Sequence, residues 1–118
     1  MGKKWLAKQI MKRLSHEKSS VISLECNTDY ALMLLGMSYS NFTFDKNNVS
    51  ARNAVKAEKI LLQSLKEASE KDIDYEMIRA AKALECLYQA AGHYEEAAQV
   101  NHLYTGLETK KYYERLGL

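Results

Sequence analysis

The 118-residue chain contains no proline, only five glycines and two cysteines. A β-rich fold of this length would need many more turn formers, so the shortage points to helices joined by few, short connections. Cys26 and Cys86 lie too far apart to form a metal-ligand pair, and two thiols make no disulfide framework. They are expected to be reduced core thiols, which fits a cytoplasmic protein. No apolar run approaches the ~20 residues of a membrane span, and none follows Lys3 and Lys4 as a secretory signal would require. No HExxH, GxSxG or glycine-rich phosphate loop occurs. His16, His93 and His102 share no one-turn spacing. Neither a catalytic residue, a cofactor site nor a metal site is expected.

What is present is ordinary for a globular chain: 47% apolar and 27% charged residues, enough for one domain over residues 1–118. The net charge of +2 hides an asymmetry. Residues 1–18 hold Lys3, Lys4, Lys8, Lys12, Arg13 and Lys18 against Glu17, so a basic arm precedes a mildly acidic body. Within that arm Leu6, Ile10 and Leu14 recur one turn apart, and Lys4, Lys8 and Lys12 form a second stripe. The pattern predicts a basic amphipathic helix. Lys4, Trp5, Lys8 and Lys12 are candidates for contacting nucleic acid or an acidic partner.

Val21-Ile22-Ser23-Leu24 reads either as a short extended piece or as the start of the next helix, while Asn27, Thr28 and Asp29 read as N-caps of a second helix running from Tyr30 to Tyr39, apolar nearly all round and therefore buried on most sides. Residues 40–49 are rich in Asn, Asp, Ser and Thr, which predicts a loop, with Phe42 and Phe44 packing down. Ser50 is placed to cap a third helix from Ala51 to about Lys71. Asp72 or Asp74 would cap a fourth, ending near Ala91 before Gly92. A fifth would run from Tyr94 to about Leu116, its tyrosine-rich end either covering the bundle or offering aromatics and cations to single-stranded nucleic acid or a protein. The expected fold is all-α, with about five helices in stacked antiparallel hairpins or a small bundle.

The joint Gly92-x-Tyr94-x-x-Ala97, preceded by Leu84 and Tyr88, resembles the turn of a tetratricopeptide repeat. A second copy resembles the pattern in Leu35-Gly36-x-x-Tyr39, followed by Ala57, Leu61, Ser64 and Leu65. Together they cover residues 28–107, leaving residues 108–118 as the end of the last helix. The pattern departs from the family at Glu85, Asn101 and Tyr104, and the first joint is about nine residues too long. The resemblance implies a groove lined by Tyr30, Met33 and Met37 from one hairpin and by Arg79, Lys82, Cys86 and Gln89 from the other; the alternative reading makes Tyr30, Met33 and Met37 core beneath the first helix. The family's basic carboxylate clamp is not expected, because Cys86 and Met37 stand where asparagines would help.

Three functional readings follow. The first is a non-catalytic interaction module, an adaptor, chaperone-like factor or inhibitor that binds a partner protein in the groove. The second is a nucleic-acid-associated regulator using the basic first helix. The third is a homo-oligomer in which a second copy fills the apolar groove.

Overall fold

The computed structural model describes residues 22–38 and 41–117. Four helices occur among them: α1 (residues 22–34), α2 (Ala51–Glu70), α3 (Asp74–Ala90) and α4 (Tyr94–Arg115). The basic segment 1–18, with Lys4, Trp5, Lys8 and Lys12, lies outside the described residues.

The helix ends explain the arrangement. Ser50 caps α2 as the sequence implies, its Oγ accepting the Asn53 amide at 3.1 Å. The C-termini share one device. At the end of α1 the Gly36 amide donates to the Met33 carbonyl (3.0 Å) and the Met37 amide to that of Leu32 (2.9 Å), with Gly36 left-handed at φ +66°. This paired closure takes up carbonyls that the helix would otherwise leave bare. It recurs after α2 through Asp72 (φ +55°), with the Ile73 amide on the Ala68 carbonyl at 2.9 Å. It recurs again after α3 through Gly92, with the His93 amide on the Tyr88 carbonyl at 2.8 Å.

Three expectations are corrected by these ends. The second predicted helix takes the earlier of its two expected starts and stops sooner than expected: α1 already includes Asn27, Thr28 and Asp29, and Gly36 closes it well before Tyr39. Thr28 is no cap, because its hydroxyl donates back to the Leu24 carbonyl one turn earlier (3.1 Å). Neither Asp72 nor Asp74 caps α3. Asp72 is consumed in closing α2, and the N-cap is Ile73, whose side chain packs into the core instead of bonding backbone. The two joints, Lys71-Asp72-Ile73 and Ala91-Gly92-His93, are thus built alike, each reusing the residue that closes one helix as the start of the next.

Helix α3 is the hub. It packs along both α2 and α4. Its Ala80, Ala81 and Ala83 let neighbours approach closely, while Leu84, Leu87 and Tyr88 fill the space beside them. Helix α1 contributes Leu24, Thr28, Ala31 and Leu32, and Leu35 in the turn that closes it continues the same buried face. Leu32 and Leu35 join Ala57 and Leu61 of α2 and Leu84 of α3 in the main core. Leu24 joins Ala68 and Met77 in a smaller cluster at the other end. Phe42, Phe44 and Val49 of the 41–50 loop pack onto the main core, and the Cys86 thiol donates to the Phe42 carbonyl. Only Ala97 of α4 is buried, and Tyr112 and Tyr113 stand exposed. The expected cover by the C-terminal tyrosines is therefore limited to Tyr104. Its hydroxyl donates to Glu85 (3.1 Å) and accepts from Asn101 (2.9 Å).

Candidate protein-interaction surface

The groove expected from sequence is not assembled as expected. Met37 is 6% exposed and belongs to the core, because the closure at Gly36 turns the chain back and folds Met37 against α1. Arg79 is also buried, its side chain 6% exposed. It forms an ion pair and hydrogen bond with Asp29 of α1 and lies 3.6 Å from Glu76. Lys82 is tied to α4, with Nζ 2.9 Å from Glu108 and 5.5 Å from the centre of the Tyr104 ring. Gln89 is exposed near the end of α3, and Cys86 is half-buried against the loop. Arg79 and Lys82 therefore hold seams between helices, and Met37 fills the interior.

The Arg79 cluster is an electrostatic seam between α1 and α3. Glu76 is fully buried, and among the described residues its carboxylate oxygens find no hydrogen bond of good geometry. Burial pushes its carboxyl above the ordinary range, since the charged form loses its water. The Arg79 guanidinium opposes this, while Glu25 and Asp29 reinforce it.

Tyr30 and Met33 remain available, 40% and 62% exposed. They belong to a stripe that the sequence reading did not separate. Ile22, Cys26, Tyr30 and Met33 follow one another at i, i+4, i+8 and i+11 and are all exposed. With ~100° per residue they lie opposite the buried stripe of the same helix. Helix α1 is apolar on two faces, and only one of them is covered among the described residues.

Beside it, α2 presents a matching outer face. Arg52, Val55, Lys56, Lys59, Leu62 and Lys66 fall on one arc and are all exposed. The two faces touch where the Lys56 ammonium donates to the Tyr30 hydroxyl (3.0 Å) and sits 5.3 Å from its ring centre. A cleft of about 280 Å³ opens between the helices, lined by Asn27, Lys59, Ile60, Gln63, Ser64 and Glu67. Among the described residues Arg52, Lys59 and Lys66 make no ion pair. The surface thus combines exposed apolar side chains, cations and a recess large enough for one side chain. The recurrence of cations and apolar residues on this outer arc of α2 is visible in the sequence.

Among the described residues no group of three His, Cys, Asp or Glu side chains is placed to hold a metal ion, and no helix is long and apolar enough to cross a membrane. Comparison with protein-family models, with curated proteins and with solved structures yields no match.

Proposed function

We propose that the chain is a non-catalytic protein-interaction module, a small stack of antiparallel helix hairpins that binds a segment of a partner protein. The observation that carries this reading is the exposed apolar stripe of α1 beside the outer face of α2. Large apolar side chains clustered on a surface and rimmed by polar groups are the usual signature of a docking site. The docking face is then the outside of the α1–α2 pair, with Tyr30 and Met33 retained from the expected groove. The resemblance to tetratricopeptide hairpins is kept for α3 and α4 alone. Buried Leu84, Tyr88 and Ala97 about the left-handed Gly92 support it there. The earlier copy lacks that support, because Leu35-Gly36 closes a helix instead of lying within one.

The test is a nuclease-treated pull-down from native extract, comparing the wild-type chain with Met33→Asp/Leu62→Asp and with His102→Asp on exposed α4. A protein retained by the wild type and by His102→Asp, and lost with the double variant, supports the reading. Partners that vanish on nuclease treatment would refute it and move the function to nucleic acid and the basic segment holding Lys4, Trp5, Lys8 and Lys12.

A further inference from the structure

Resting on the interaction-module reading, the geometry points to a specific occupant for the α1–α2 face: an acidic amphipathic helix of a partner protein. The apolar stripe from Ile22 to Met33 spans eleven residue steps, roughly 16 Å, which matches about three turns of a docked helix. A helix laid in a groove offers anchors at i, i+3 or i+4 and i+7, and the recess floored by Ile60 would take one of them.

Charge decides the rest of the partner's chemistry. The α2 side of the face carries Arg52, Lys56, Lys59 and Lys66. Of the carboxylates that border it, Asp29 is paired with Arg79, while Glu67, bonded to the Gln63 amide at 3.0 Å, and exposed Glu70 keep their charge, so four cations face two carboxylates. Glu25 is half-buried on the inner side of α1, near Glu76. The occupant's carboxylates would meet the cationic arc while its apolar face lies on Ile22, Tyr30 and Met33. A phosphate backbone would match the lysines but strand Val55, Leu62 and Met33 against a polar strand. A flat bilayer would leave the recess between the helices unfilled.

The test selects random 16-residue peptides displayed on phage against the full chain. The enriched peptides are then measured by fluorescence anisotropy. The inference expects net-negative peptides with apolar residues at helical spacing. It expects Lys56→Glu/Lys59→Glu to weaken them more than tenfold with an unchanged thermal melt. A peptide with Lys in place of its acidic residues should recover binding to the charge-reversed variant. Enriched peptides that are neutral or basic, or that ignore the charge reversal, would overturn the acidic partner and leave the interaction module standing. Failure to enrich any peptide would overturn both. So would tighter binding of a 20-residue oligothymidylate or of anionic phosphatidylserine vesicles that Lys56→Glu/Lys59→Glu abolishes.

Discussion

Replacing Arg79 with methionine tests the electrostatic seam between α1 and α3. Methionine keeps most of the side-chain volume but removes the only cation paired with the buried Glu76 among the described residues. Asp29 would lose its partner too, but its side chain is 58% exposed and water would solvate it at little cost. Glu76 has no such escape. It can remain charged and unpaired in the interior, or it can take up a proton. The second route limits the damage. Protonating a carboxyl of ordinary value 4.5 at pH 7 costs about 3.4 kcal/mol, at ~1.4 kcal/mol per pH unit. That figure is a ceiling, because the raised carboxyl of the wild type already carries part of the cost, so the expected loss at pH 7 lies below about 3 kcal/mol. The sign of the pH dependence follows from the raised carboxyl. A group whose folded value lies above its unfolded one stabilises the fold below the unfolded value, and that contribution is lost as pH rises through the folded value. Arg79→Met raises the folded value further, so its deficit should shrink from pH 7 toward pH 5. Urea unfolding followed by circular dichroism at pH 5, 6 and 7 measures this. Adding Glu76→Gln should recover most of the loss at pH 7. A deficit independent of pH, or a double variant no better than Arg79→Met, would refute the reasoning.

The remaining predictions concern core, caps and thiols. Leu61→Ala should cost about 3 kcal/mol and lower the melting temperature by roughly 10 °C in thermal circular dichroism, because Leu61 is fully buried between helices. Gly92→Ala should cost about 1 kcal/mol in the same assay, from the left-handed backbone alone, since no atom lies within 4 Å of the added carbon. Asp72→Gly should be neutral to stabilising by about 0.5 kcal/mol, because it relieves the same strain at the equivalent joint. Iodoacetamide should alkylate exposed Cys26 well before Cys86, as read by peptide mass spectrometry. Burial, and secondarily Glu85, push the Cys86 thiol up, so its modification should rise more steeply with pH.

How far the sequence could be read depends on the kind of residue. Ser50, Gly92 and the periodicity of α2, α3 and α4 are local signals, and the helices begin and end within a residue or two of where those signals place them. Gly36 was equally visible but was assigned to a helix interior, because the apolar run continues past it to Tyr39. Whether Met37 lies in a groove or in the core depends on the turn at Gly36, which folds it back into the core. Asp72 illustrates competition between two roles: an aspartate is a good N-cap, yet in a three-residue joint the left-handed position comes first. Arg79 was read as a groove cation because its partners, Asp29 and Glu76, meet only when α1 lies on α3. The exposed stripe of α1 escaped for a related reason. Ile22, Cys26, Tyr30 and Met33 are apolar like the residues opposite them, and an all-round apolar helix does not reveal which side will be covered.

If partners meet the outer face of α1 and α2, a crosslinker placed on that face should capture them. The most direct measurement places the photocrosslinking residue p-benzoylphenylalanine at Met33, Lys59 or Tyr113, one site at a time, in cells that make the protein. The account predicts one shared protein adduct from Met33 and Lys59, identified by mass spectrometry, and none from Tyr113. Adducts from Tyr113 alone would contradict it and place the contact on the exposed end of α4.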